Sequence, residues 1–404
     1  MSRPQVTYDD VVAARALLTG VVTRTPVLES RALTDVAGGP VHLKCENLQR
    51  SGSFKVRGAY VRIARLADEE RARGVVAASA GNHAQGVALS ARLLGAKATV
   101  YMPEGAALPK VEATLGYGAE VIFAGHTVDQ ALAAAREHAE QTGAVIIHPF
   151  DHADVIAGQG TIGLEILEQL PATGTIVVPI GGGGLAAGLA LAAKTLRPGV
   201  RIVGVQAERA AAYPASLAAG HPVMVEPFTT MADGIAVGRP GEQPFELIHY
   251  LVDRVVTVTE EEISRALVLC LERAKQVVEP AGAVGVAALL AHPQAFEPPV
   301  VAVLSGGNID PMLLARILRH GLAAAGRYLA LRVRLLDRPG ALAGLLTELA
   351  ALRVNVLDVV HERFGSRLRV DDVEVQLQLE TRGPEHCDEA LDALRRHGYE
   401  LIIG

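Results

Sequence analysis

Short runs of β-branched and aliphatic residues alternate with longer Ala/Leu-rich stretches of helical period through about residue 320. VVAAS (75–79) leads into NHAQGVALSARLLG, KATVYMP into a helix near 109–116, and AEVIFAG into TVDQALAAAREHAEQTG. Further on, GTIVVPI leads into GGGGLAAGLALAAKTL, followed by VRIVGVQAE, and PPVVAVLSGGN leads into IDPMLLARILRHG. The strands are apolar throughout rather than alternating, and helices separate them. That pattern predicts parallel α/β architecture with both faces of the sheet covered. Such a sheet binds ligands beyond the carboxyl ends of its strands.

After residue 320 the pattern changes. YLALRVRLL is followed by a helix in PGALAGLLTELAALR, strands in NVLDVVHERF and DVEVQLQLETR, a helix in PEHCDEALDALRRHG and a strand in YELII. This is βαββαβ in a short span, the ferredoxin-like order. It predicts a separate domain at 328–404, joined by a linker at 321–327 to a catalytic domain at 1–320. The stretch SRLRVDD (366–372) alternates poorly and reads as the exposed turn between the two central strands.

Composition narrows the class. A chain of 404 residues exceeds one small core, and 50% hydrophobic with 20% charged residues excludes a disordered chain. The net charge is −6 and no basic stripe is interleaved with aromatics, which argues against a nucleic-acid partner. Cys45, Cys270 and Cys387 are scattered without CxxC spacing, as suits a reducing compartment. MSRPQVTYDD has no apolar leader, and no apolar run approaches the length of a membrane span. These features together read as a cytoplasmic enzyme with a small-molecule substrate and no membrane.

Four strand ends carry candidate chemistry. PIGGGGLAAG (179–188) places four glycines between an apolar strand and a helix, so backbone N–H groups and the helix dipole form an anion site suited to phosphate. A tight turn is the plainer reading. A dinucleotide site is the sharper rival, since Gly182, Gly184 and Ala187 satisfy GxGxxA and Glu208 follows about twenty residues on. Lys55, in QRSGSFKVRGAY (49–60), is either a solvated lysine or a desolvated amine for Schiff-base chemistry. With a phosphate cup elsewhere, the second reading points to pyridoxal 5'-phosphate. In SAGNHAQG (79–86) the amides suit a carboxylate and Asn82 a ring hydroxyl, unless Ser79 or Asn82 only caps the helix. Ser305 in LSGGN (304–308) either faces a ring nitrogen or caps the next helix. His148 and His152 in HPFDH are spaced i, i+4, but Pro149 argues against a helical metal pair, and the stretch reads as a loop bordering the site.

Taken together, KCENLQRSGSFKVRGA, SAGNHAQGVA, GGGGLAAG, EPAGA (279–283) and SGGN resemble the fold-type II pyridoxal-phosphate enzymes, and within them the threonine ammonia-lyases (threonine dehydratases). The likeness spans nearly all of residues 5–320. It implies two parallel-sheet lobes, the smaller one at roughly 49–150 inserted in the larger. DRPGALAGLL followed by NVLDVVHER resembles an ACT domain, a regulatory module for small molecules. Carried over by position, the resemblance implies that Lys55 holds the cofactor and serves as base, with Phe54 against the ring. Asn82 would bond the ring hydroxyl, Gly181, Gly182, Gly183, Gly184 and Leu185 the phosphate, and Ser305 the ring nitrogen. Ser79, Ala80, Gly81, Asn82 and His83 would hold the substrate carboxylate.

Two positions depart from relatives. Racemases of this fold carry a second serine directly after the position of Ser79; Ala80 stands there and cannot move a proton. Some relatives bind a divalent cation through a Glu and a nearby Asp; Glu208 is present, but RAAAYPASLAAG supplies no Asp, so no metal is expected. The expected reaction is β-elimination from L-threonine, and from L-serine, in a homodimer or homotetramer inhibited by an amino acid such as isoleucine. Alternatives are a serine-specific dehydratase or another β-eliminating enzyme of this fold, a nicotinamide-dependent oxidoreductase, and an amino-acid sensor on a dead scaffold.

Overall fold

The computed structural model describes residues 6–226, 229–363 and 369–403. They form two compact units, one running to Pro311 and one from Met312 onward.

The first unit contains two sheets. The larger joins β1 (Val27–Glu29), β2 (Val41–Cys45), β7 (Thr175–Pro179), β8 (Arg201–Ala207), β9 (Arg254–Val258) and β10 (Val300–Leu304) in the order β1–β2–β10–β7–β8–β9. All its pairings are parallel except β1 with β2. The smaller sheet, β3 (Val75–Ala78), β4 (Ala98–Met102), β5 (Glu120–Phe123) and β6 (Val145–Ile146), is parallel throughout in the order β5–β4–β3–β6. Its strands fall between β2 and β7 in the chain. The central strands β7 and β10 are buried at every residue, as expected where helices cover both faces.

A run of glycines fixes how the helices meet. In helix Ala153–Gln169, a Cβ on Gly158 would stand 2.7 Å from the Cα of Gly58, in helix Lys55–Ala64. A Cβ on Gly160 would lie 2.9 Å from the Gly188 carbonyl, and one on Gly163 2.8 Å from that of Leu189, both in helix Gly184–Leu196. Helix 153–169 therefore holds two others at backbone contact, and both open at candidate site residues: Lys55 and the glycine loop.

The second unit is an antiparallel sheet of β11 (Tyr328–Leu336), β12 (Asn355–Glu362), β13 (Asp372–Glu380) and β14 (Glu400–Ile403), ordered β12–β13–β11–β14. Helices Ala341–Ala351 and Pro384–Arg396 complete the βαββαβ order. Every second residue of β11 and β13 is buried, from Leu329 to Leu335 and from Val373 to Leu379. Helix Pro311–Ala324 also falls largely in this unit, so the linker expected at 321–327 overlaps its end. Residues 366–368 of the expected turn lie outside the described residues, and β13 opens at Asp372. No helix among the described residues is long and apolar enough to cross a membrane.

Candidate active site

Lys55 is the first residue of its helix and is half-buried. Its amine donates to the Pro149 carbonyl at 3.0 Å and lies 5.2 Å from the centre of the Phe54 ring. Burial lowers the amine's pKa from 10.5 to about 8, partly opposed by the charge of Glu279. About a tenth of the amine is then unprotonated at pH 7, several hundredfold more than in a solvated lysine.

The loop after β7 brings Gly181–Gly184 against Phe150 and Tyr213. Gly183 has φ +105°, and a Cβ there would collide with the Tyr213 hydroxyl and stand 2.8 Å from Pro244 Cβ, so both backbone and space require glycine. The buried Tyr213 donates its hydroxyl to the Gly182 carbonyl at 3.2 Å, and the Gly241 N–H donates to the same carbonyl at 3.0 Å. The first helical bond runs from Ala187 N–H to Gly183 C=O. The N–H groups of Gly181, Gly182, Gly183, Gly184 and Leu185 find no protein acceptor among the described residues. Five free donors at a helix start fit a phosphate.

Residues Ser79–His83 join β3 to helix Asn82–Leu93. Neither Ser79 nor Asn82 caps that helix: Gly81 is the N-cap, and Ser79 Oγ accepts only from Gly81 N–H, at 3.2 Å. The amides of Ala80, Asn82 and His83 again have no acceptor among the described residues. His83 Nε2 donates to the Ile147 carbonyl at 2.7 Å, and burial followed by the charge of Lys55 brings its pKa to about 3, so the ring is neutral. Asn82 bridges two segments: its Nδ2 donates to Glu279 Oε1 at 2.5 Å, and its Oδ1 accepts from Asn308 Nδ2 at 2.8 Å.

Ser305 follows β10 directly and is buried. Its carbonyl accepts from Phe54 N–H at 3.1 Å, while its hydroxyl has no protein partner among the described residues. SGGN therefore lies against the segment that carries Lys55. The free hydroxyl, the free amides and the amine of lowered pKa fit an aldehyde cofactor bearing a phosphate and a ring nitrogen.

The 148–152 loop borders this site. Pro149 touches Lys55, and Phe150 packs on the glycine loop. Asp151 accepts from Glu242 and Gln243 N–H at 3.0 and 3.1 Å. His148 accepts from Asp151 N–H at 2.8 Å, and His152 caps helix 153–169 through Asp154 N–H at 3.1 Å. Both rings are thus engaged with backbone. Glu208 is exposed, and the described residues contain no group of three His, Cys, Asp or Glu able to hold a metal.

Several contributors escaped the sequence reading. Glu279 is buried, and its pKa is pushed up to about 7, first by burial and then by Asp233. The one charge in VVEPAGAVGVAALLA was the available signal. Tyr213 and Pro149 act through an undistinguished aromatic and a carbonyl, and neither left one.

The chain belongs to the pyridoxal-phosphate dependent enzymes, a family that matches residues 18–306. Within it, the L-threonine ammonia-lyase of Thermotoga maritima is 48% identical over 398 residues, covering 98% of this chain and 99% of its own. That of Geobacter sulfurreducens is 50% identical over 383 residues, or 95% of each chain. Among solved structures, maize serine racemase is 37% identical, with a TM-score of 0.74, covering 79% of this chain and 98% of that one. The cofactor is pyridoxal phosphate, and the nicotinamide reading of Gly182, Gly184, Ala187 and Glu208 is set aside.

Proposed function

We propose that this enzyme removes ammonia from L-threonine to give 2-oxobutanoate, and acts on L-serine to give pyruvate. The observation that carries the reading is Lys55, a half-buried amine of lowered pKa held at the Pro149 carbonyl, on a helix that packs, as the glycine-loop helix does, against helix 153–169. Two L-threonine ammonia-lyases similar over nearly the whole chain support it.

When bound, pyridoxal phosphate supplies the electron sink that lets the Cα–H bond break and the β-hydroxyl leave. Lys55 would hold it through Nζ, with Phe54 beside the ring, Asn82 at the ring hydroxyl and the 181–185 amides at the phosphate. Ser305 offers a neutral hydroxyl to the ring nitrogen. A hydroxyl there would not hold that nitrogen protonated as a carboxylate would, so the group would supply a weaker electron sink, suited to elimination. The substrate's carboxylate sits on the Ser79–His83 amides. Lys55 Nζ, beside the substrate, would take the Cα proton as general base. Ala80 leaves the opposite face without a group that moves protons, which disfavours racemisation.

The second unit supports regulation. The turn Asp337–Ala341 lines a cavity of about 350 Å³ with Leu335, His361 and Arg363. Gly340, at φ +87°, is the N-cap of the following helix; the Ala341 N–H is taken by the Arg338 carbonyl, while those of Leu342 and Ala343 have no protein acceptor among the described residues and are open to an anion. We read the unit as an ACT domain that binds an amino acid such as isoleucine, in a cytoplasmic homodimer or homotetramer. The free cysteines suit a reducing compartment.

The test supplies L-threonine, L-serine and diaminopropionate separately to the yellow holoenzyme and measures keto acid. Threonine should give the highest kcat/KM. Keto acid from serine or diaminopropionate but none from threonine would replace this reading with another β-eliminating activity.

A further inference from the structure

Helix Leu108–Gly116, between β4 and β5 of the smaller sheet, sends Lys110 across to the larger-sheet lobe. There its Nζ lies 2.9 Å from Asp233 Oδ2. Asp233 opens the short turn Asp233–Ile235, and the Cα of Ile235 stands 3.0 Å from where a Cβ on Gly181 would be, so this turn leans on the glycine loop. The same Nζ is 3.9 Å from the Cβ position of Gly81, in the middle of the Ser79–His83 loop. One ammonium therefore stands between a carboxylate of one lobe and the amide-lined loop of the other. The cation is the shielded member, its side chain 17% exposed against 58% for Asp233.

Backbone amides orient a carboxylate but supply no full charge. The nearby acidic groups, Glu279 and Asp233, oppose an entering anion, and Lys55 is committed to the cofactor. Lys110 is the cation already placed at the loop. We propose that Lys110 is a specificity-determining residue that neutralises the α-carboxylate of the amino-acid substrate, exchanging Asp233 for it as the substrate enters. This rests on the Ser79–His83 loop being the seat of that carboxylate. Asp233 is then the resting partner that holds the ammonium in place, and the exchange couples substrate entry to the contact between the lobes.

The two partners should act in opposite directions. In holoenzyme of unchanged visible spectrum, Lys110→Met should raise the KM for L-threonine about tenfold or more, the value of one charge-assisted hydrogen bond, with kcat nearly unchanged. Lys110→Arg should restore most of the loss. Asp233→Asn removes the competing carboxylate and should leave KM equal or lower. Lys110→Met should also narrow the preference for L-threonine over its uncharged amide. Binding of unreactive L-alanine, followed by calorimetry, should weaken by the same factor. That arm remains readable if threonine proves not to be the substrate, so the two readings fail separately. An unchanged KM and L-alanine affinity in Lys110→Met, or equal KM increases in both variants, would overturn the proposal.

Discussion

Arg57 closes a fork on Glu46, Nε to Oε2 at 2.8 Å and Nη2 to Oε1 at 2.9 Å, with neither side chain exposed. Its remaining N–H groups reach Glu165, at 2.6 and 3.1 Å, and the Thr161 hydroxyl at 3.1 Å. Lys44 completes the cluster, donating to Glu165 at 2.5 Å and to the Thr25 carbonyl at 2.8 Å. Two cations and two carboxylates balance inside the protein. Burial alone would raise the pKa of Glu165; Arg57 and then Lys44 hold it below the usual value. The cluster ties the start of the Lys55 helix to the end of β2 and to helix 153–169.

Removing Arg57 leaves two buried carboxylates with Lys44 as the one cation of the cluster, and Glu46 without its fork. Arg57→Met should cost about 3–5 kcal/mol of stability, read as a lowered denaturant midpoint. Arg57→Lys should recover only part of it, because an ammonium cannot form the fork. Adding Glu165→Gln to Arg57→Met should cost less than the sum of the single effects. A wild-type midpoint in Arg57→Met would show that the cluster does not support the fold.

The Lys55 amine should capture its cofactor with a pH dependence centred near 8 rather than 10.5. Only the unprotonated amine attacks an aldehyde, so the recombination rate of cofactor-free protein should rise through pH 8 and level off above it. The linked stability effect follows from the lowered value. Between about 8 and 10.5 the unfolded chain binds the extra proton, so the amine's unfavourable contribution fades as pH rises through that window. Growth of the visible band after mixing measures the rate. A midpoint near 10 would mean that burial does not lower this pKa.

These features differ in how readable they were. The glycine loop, SAGNHAQG and SGGN each follow an apolar strand directly, so strand pattern and motif reinforce one another. Strands β2 and β9 were missed because VHLKC and RVVTV carry charges; Lys44 is fully buried only because Glu165 meets it from a distant helix. Arg57 gives no signal in the sequence for the same reason, since its partners lie at 46 and 165. Gly158, Gly160 and Gly163 resemble a loop motif in sequence, yet they sit mid-helix as packing surfaces. The 320 limit followed a change in strand pattern, whereas the compact unit begins at Met312, in the first turn of the intervening helix.

Glu279 should make stability depend on pH in the opposite sense to an ordinary carboxylate. Its pKa is about 7 in the fold against 4.5 unfolded, so the folded chain holds the extra proton between these values and stability falls as pH rises through them. The penalty is complete above 7. Glu279→Gln keeps an oxygen to accept from Asn82 and removes the charge. It should therefore raise the Tm of the cofactor-free protein more at pH 8 than at pH 5. Thermal melts at the two values decide this, and an equal change at both would assign Glu279 an ordinary pKa.

The effector reading of the second unit makes the last prediction. A carboxylate bound at the Asp337–Ala341 turn would meet the helix N-terminus beginning at Ala341. Placing a negative charge there keeps the helix start favourable while repelling that ligand, so Ala341→Glu isolates binding from folding. The full-length enzyme should be inhibited by isoleucine, and Ala341→Glu should shift the half-inhibitory concentration upward by about tenfold or more, measured against its own uninhibited rate. Binding to the second unit should also register as an isoleucine-dependent rise in Tm that the variant loses. Equal inhibition of both proteins would place the effector elsewhere. No response in either would leave the βαββαβ unit a role in assembly alone.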